Sequence, residues 1–212
     1  MLNFTTSKLL LNRPNSKIDG SIISVQQINI ILAVCDNIIS QNIEGDIVEF
    51  GCYVGESSKY LRMILDHHCS DKNLYVYDSF EGLPPLSKHE EHTGWKSGTL
   101  KTTEEILASN FINNGLKIPI ITKEWFKNIQ QNQLPNKICF GFLDGDFYDS
   151  IFDSLSLVYP KLSTGGCLIF HDYERPDLPG VKAAVEDYLA KIDTDSFVLY
   201  KIYDQLGVLI KS

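Results

Sequence analysis

The sequence predicts an α/β fold: a doubly wound, mostly parallel seven-stranded sheet with helices on both faces and an antiparallel hairpin at its C-terminal end. Three observations predict it. Segments of helical period alternate with short apolar runs of strand length from about Ser24 to Lys191, and such alternation builds parallel sheets through right-handed crossovers. The first strand candidate runs into a glycine turn that opens directly onto a helix. The last two strand candidates are joined by a turn too short to hold a crossover helix, so they are expected to pair antiparallel.

Taken in order, Ser24 to Gln41 carries apolar residues at 25, 28, 31, 32, 35, 38 and 39, the stripe of a sheet-covering helix, with Ser24 as its N-cap. DIVEF (46–50) reads as a buried strand, Ser57 to Asp66 as a helix and NLYVYD (73–78) as the next strand. A helix follows near Thr103 to Asn113, then a strand at Ile118 to Thr122, a strand at Ile138 to Leu143, a helix at Tyr148 to Leu162, a strand at Gly166 to Phe170 and a helix at Leu178 to Lys191. SFVLYKIY and GVLIK, joined by a short turn at Asp204 to Leu206, form the closing hairpin at the sheet edge. The whole chain, residues 1–212, reads as a single domain, with 1–44 as an N-terminal helical segment. Leu83 to Thr102 is a loop-like insert long enough to act as a lid.

Composition narrows the function. With 212 residues and 43% hydrophobic content the chain can bury a substantial core. A formal net charge of -8 argues against nucleic acid or an anionic membrane as direct partner, since both reward excess Lys and Arg; a small uncharged or cationic ligand suits it better. Five scattered cysteines without a C-x-x-C pair indicate neither a disulfide framework nor a zinc knuckle, and buried thiols in a cytoplasmic protein are expected. The beginning, MLNFTTSKLLLNRP, lacks an apolar stretch of secretory length, and the first helix is interrupted by Asn29, Asp36 and Asn37, so no membrane span is expected.

The chemistry concentrates at two strand ends. KICFGFLDGDFYDS (137–150) and GGCLIFHDY (165–173) are apolar runs that stop abruptly in side chains able to bind a metal or move a proton. In open parallel sheets, ligands occupy the crevice outside the carboxyl ends of the strands, so Asp144, Asp146, His171 and Asp172 converge if the two strands are neighbours. His171 is open to three roles: metal ligand, general base, or hydrogen-bonded strand-end histidine. In GDIVEFGCYVGESS (45–58), Gly51 allows the sharp turn, Gly55 allows close approach of a ligand, and Ser57 adds donors at the helix start. Glu49 would repel phosphate and pair with an ammonium group, while Asp78 ends the next strand where an acid accepts from ribose hydroxyls; amine plus ribose describes S-adenosylmethionine. Trp125, beyond the third strand, could meet adenine or an acceptor, or simply pack. His89 and His92 in HEEH lack the spacing of a zinc hydrolase and could sit on the lid, as could Trp95.

These motifs, together with YVYDSFEGLP (75–84), ITKEWFKN (121–128) and YPKLSTGG (159–166), make the sequence similar to the macrocin O-methyltransferase family over about Gly45 to Lys191. The resemblance implies a class I methyltransferase fold of Rossmann-like type. It also implies transfer of a methyl group from S-adenosylmethionine to a hydroxyl of a sugar or glycoside, assisted by Mg2+, with Mn2+ as the other candidate ion. Carried onto this chain, Asp144, His171 and Asp172 would hold the ion and Asp146 would be the general base, with His171 standing where the family usually has aspartate. Cofactor contacts would come from Glu49, Gly51, Cys52, Tyr53, Gly55, Ser57, Asp78, Ser79, Trp125 and Asp144. Family members use additional N-terminal structure for subunit contacts, so a homo-oligomer is among the implied states.

Two other classes compete. A nucleotide-sugar glycosyltransferase could use Asp144-Gly145-Asp146 as its metal-binding D-x-D, though the glycine turn and Asp78 do not belong to that plan. A non-catalytic binding subunit could keep the fold with an altered metal site.

Overall fold

A computed structural model describes residues 23–91, 93–202 and 205–212, so the expected helical segment before residue 23, His92 and part of the closing turn lie outside the described residues. The helices are α1 (Val25–Ser40), α2 (Glu56–His67), α3 (Glu104–Asn113), α4 (Tyr148–Val158) and α5 (Pro179–Leu189). The strands are β1 (Asp46–Phe50), β2 (Leu74–Asp78), β3 (Ile120–Lys123), β4 (Ile138–Leu143), β5 (Leu162–Phe170), β6 (Phe197–Ile202) and β7 (Leu206–Lys211).

All seven strands form one sheet in the order β3-β2-β1-β4-β5-β7-β6. The first five are parallel, and β7 runs antiparallel to both β5 and β6, the expected hairpin at the sheet edge. The chain moves outward from β1 through β2 to β3, then returns to place β4 on the other flank of β1. This reversal leaves a crevice between the carboxyl ends of β1 and β4, where an α/β sheet offers its ligand site.

Strand alternation divides the core in two. Ile47, Phe140 and Phe142 face α1, α2 and α3, whereas Val48, Phe50 and Leu143 face α4 and α5. Glu49 lies between Val48 and Phe50, and the same alternation turns it toward the α2 side. α1 begins with the expected cap: the Ser24 hydroxyl accepts from the Gln27 N–H at 3.1 Å and the Gln27 side chain accepts from the Ser24 N–H at 2.8 Å, a reciprocal capping box. Cys35, Cys52, Cys139 and Cys167 are buried free thiols, while Cys69 is exposed.

Two strand starts differ from expectation by two residues or more. β5 begins at Leu162 rather than Gly166, because the strand passes through the Gly165-Gly166 pair: Gly165 takes φ +78 and the β4–β5 register shifts nearby. β3 begins at Ile120 instead of Ile118, where pairing to β2 starts. Among the described residues no helix is long and apolar enough to cross a membrane.

Candidate active site

The carboxyl ends of β1, β2 and β4 open into a cavity of about 720 Å³. Gly51, Tyr53, Asp78 and Ser79 form one wall, Trp125 to Lys127 another, and Asp144 to Asp146 the floor. Asp149, Ser150 and Asp153 from α4 and Pro84 to Ser87 from the insert complete it.

The glycine turn is dictated by close packing. Gly51 has φ +83, and a Cβ there would stand 1.9 Å from the Asp144 carbonyl oxygen. Two backbone bonds lock the two strand ends in place: Gly51 N–H to the Tyr77 carbonyl at 2.9 Å and Asp144 N–H to the Phe50 carbonyl at 2.8 Å. Asp78 closes the turn from β2. Its Oδ2 accepts the N–H groups of Cys52 at 3.0 Å and Tyr53 at 2.9 Å, and its Oδ1 accepts that of Phe80 at 2.8 Å. Burial pushes the Asp78 carboxyl up, and those backbone hydrogen bonds pull against that rise.

Glu49 is held by the protein's own hydroxyls. It is fully buried, does not line the cavity, and each of its carboxylate oxygens is bonded by one hydroxyl, that of Ser57 or Ser58. Its alternation toward α2 brings it under the helix start, where it braces the turn. Burial pushes its carboxyl up to about 8, against the lowering effect of the two serines. Cys52, Gly55 and Ser57 likewise stand behind the wall. Gly55 is close-packed: a Cβ there would come within 3.1 Å of Leu107 and 3.3 Å of Phe111 on α3. Gly51, Tyr53, Asp78, Ser79, Trp125 and Asp144 do line the cavity.

On the far side of the crevice β4 and β5 are paired neighbours, and their end residues converge. Asp144, His171 and Asp172 each offer one ligand atom within 4.8 Å of the others. His171 Nδ1 lies 2.9 Å from Asp144 Oδ1 and 3.3 Å from Asp172 Oδ2, yet neither ring nitrogen has a well-directed hydrogen bond. Burial works against a charge on His171, but the carboxylates of Asp144 and Asp172 outweigh it and push its pKa up. At 3% exposure and off the cavity wall, the ring is poorly placed to take a proton from a ligand. Burial, and then Asp144 and Asp172, push Asp146 well up. Asp146 itself lines the cavity. A buried imidazole lacking hydrogen-bond partners between two carboxylates is a donor set that fits a divalent cation.

Tyr53, Phe80, Asp146 and Asp172 all adopt left-handed backbone, with φ of 45, 58, 59 and 55. Half of the eight such non-glycine residues among the described residues follow the carboxyl ends of β1, β2, β4 and β5, where the fold accepts local strain.

The insert is docked rather than free. Its neck is closed by Leu83 N–H to the Thr99 carbonyl and Gly98 N–H to the Leu83 carbonyl, both at 2.8 Å. Glu90, 1% exposed, accepts the Tyr148 N–H at 2.8 Å and so supplies the cap that Phe147 does not give to α4. Its other oxygen accepts from Ser87, and His89 stacks on Tyr148 with ring centroids 3.9 Å apart. Trp95 donates its indole N–H to Asp177 at 3.1 Å and lies under the Arg175 guanidinium, which also contacts Asp172 at 3.4 Å. Sequence reasoning missed Glu90, Arg175 and the pair Asp149 and Asp153. The last two were visible as an i, i+4 acid pair directly after the LDGD segment.

A family model described as macrocin-O-methyltransferase (TylF) matches residues 11–210. Demethyldecarbamoylnovobiocin O-methyltransferase of Streptomyces niveus is 31% identical over 183 residues, covering 82% of this chain and 69% of the relative. An 8-demethyl-8-(2,3-dimethoxy-alpha-L-rhamnosyl)-tetracenomycin-C 4'-O-methyltransferase of Streptomyces olivaceus is 28% identical over 188 residues, with coverage of 84% and 71%. The solved structure of the O-methyltransferase NovP superposes with a TM-score of 0.79 at 28% identity, covering 91% of this chain and 82% of that one. A calicheamicin methyltransferase shares the fold, with a TM-score of 0.67 at 18% identity over 96% of this chain and 88% of that one.

Proposed function

Because the chain belongs to the macrocin-O-methyltransferase family and is an O-methyltransferase, we propose that it moves the methyl group of S-adenosylmethionine to a hydroxyl of a sugar or glycoside, with help from a divalent ion. The tetracenomycin relative named above acts on a rhamnosyl-bearing compound by its name, and this supports the acceptor class. The observation that carries the reading is a single cavity bounded by Gly51 and Asp78 on one side and by Asp144 and Asp146 on the other, so that donor and acceptor share one space.

On this reading the donor lies along Gly51, Tyr53, Ser79 and Trp125, with Asp78 accepting from a ribose hydroxyl through the lone pair on Oδ1 that its backbone bonds leave free. Glu49, Cys52, Gly55 and Ser57 act one step back, by holding the turn in shape. Asp144, His171 and Asp172 would hold the ion, which when bound supplies polarisation of the acceptor hydroxyl and lowers its pKa. Asp146 takes the hydroxyl proton: it lines the cavity two residues beyond Asp144, within the space that donor and acceptor share. The docked insert, through Pro84 to Ser87, walls the acceptor side and keeps water from the transfer. Holding both reactants in line contributes on the order of 7 kcal/mol or more to lowering the barrier.

The test is incubation with S-adenosylmethionine and a panel of glycosides, read by mass gain of a methyl group. Asp146→Asn is expected to lower turnover by roughly 10²- to 10⁴-fold with donor binding intact. Near-normal turnover in that variant would refute the base assignment.

A further inference from the structure

We propose that the site formed by Asp144, His171 and Asp172 selects a later first-row divalent ion, from Mn2+ to Zn2+, over Mg2+. The inference rests on the metal-assisted reading above and concerns which ion that site prefers.

The donor set carries it. Mg2+ is a hard ion that takes oxygen ligands, gives up its waters reluctantly and gains little from an imidazole. Imidazole nitrogen strengthens the binding of the later first-row ions, whose affinities rise along the series toward copper. Here one of the three protein ligands is nitrogen, and its partners in the structure are the two carboxylates that would share the ion with it. His171 is 3% exposed, and neither ring nitrogen has a well-directed hydrogen bond. Its Nδ1 is turned toward both carboxylates.

The ring is also held in that orientation. The His171 N–H bonds the Leu143 carbonyl at 3.0 Å at the very end of the β4–β5 ladder, and the ring meets Phe142 edge-on with centroids 6.1 Å apart. A histidine fixed in this way cannot swing aside to let a water take its place beside Mg2+. An ion that accepts nitrogen is the one for which the site is already arranged.

Titration calorimetry on the chelator-stripped protein, with Mg2+, Mn2+, Co2+ and Zn2+ and no methyl donor or acceptor, tests this without recourse to turnover. The three later ions are expected to bind more tightly than Mg2+ by roughly tenfold or more, with the gap narrowing sharply in His171→Asp. Mg2+ binding as tightly as Mn2+ in the wild-type protein would overturn the selectivity and leave the metal-assisted reading standing. Failure of every ion to bind, or binding unaltered in both Asp144→Asn and Asp172→Asn, would overturn that reading and this inference with it. Should His171→Asp fail to fold, the wild-type protein loaded with Mn2+ and carrying 15N-labelled histidine decides the matter by pulsed electron paramagnetic resonance. A directly coordinated histidine nitrogen is expected, and its absence overturns the proposal.

Discussion

Replacing Glu49 by glutamine is the sharpest probe of how the glycine turn is held. Glu49 is fully buried beneath the start of α2, where burial pushes its carboxyl from 4.5 up to about 8. A group whose folded pKa is raised stabilises the fold fully below its unfolded pKa, and that contribution is lost as pH climbs through the folded one. Taking about 1.4 kcal/mol per pKa unit, the rise that burial causes here corresponds to roughly 4 to 5 kcal/mol lost between pH 4.5 and pH 8. Glutamine offers the hydroxyls of Ser57 and Ser58 one donor and one acceptor, as the protonated acid does, and it cannot ionise. Urea unfolding of both proteins without methyl donor is therefore expected to give stabilities within about 1 kcal/mol of each other near pH 5. Near pH 8.5 the glutamine variant should be the more stable by several kcal/mol. The other titrating groups act on both proteins alike, so the difference isolates Glu49. A difference that stays flat with pH, or a wild-type protein that is the more stable near pH 8.5, would refute the reasoning.

Gly51→Ala forces a Cβ against the Asp144 carbonyl and holds alanine in left-handed backbone, so it should cost about 3 kcal/mol or more in thermal or urea unfolding and abolish donor binding by calorimetry. Glu90→Ala removes the acceptor of the Tyr148 N–H and is expected to lower stability by about 1 kcal/mol and raise KM for the acceptor, whereas Glu90→Gln, which keeps an oxygen there, does so less. Arg175→Ala frees the indole of Trp95 from its cationic neighbour, and in a Trp125→Phe background the tryptophan emission should shift to the red as the insert loosens; an unchanged spectrum would show that the stack does not hold the insert.

Much of this fold and site was legible along the chain, and the reasons separate cleanly. Asp144, Asp146, His171 and Asp172 could be placed together because a strand ending in a parallel sheet fixes where the next residue goes, and β4 and β5 are indeed neighbours. Ser24 could be read as a cap because capping depends only on residues within one turn. Glu49 shows the opposite case: its position at a strand tip points to a ligand, while its side-chain partners, Ser57 and Ser58, depend on which sheet face α2 covers. Glu90 was invisible because its partner, Tyr148, lies far along the chain and the insert has no periodicity to reveal its inward face. The packing of Gly55 against Leu107 and Phe111 was hidden as well, a contact set by helix packing that local spacing does not encode.

Asp146 and Asp172 must satisfy two demands at once, a carboxylate for the chemistry and a backbone that L-residues seldom tolerate. Glycine and asparagine meet the second demand without the first, and glutamate meets the first without the second. Aspartate alone serves both, so an alanine scan would blend conformational cost with lost function at these two positions, and the amide isostere is the substitution that keeps them apart. The same double lock leaves drift little room here, whereas residue 171, whose backbone is under no such restraint, is the ligand position at which the choice of ion could be retuned by a single change of side chain.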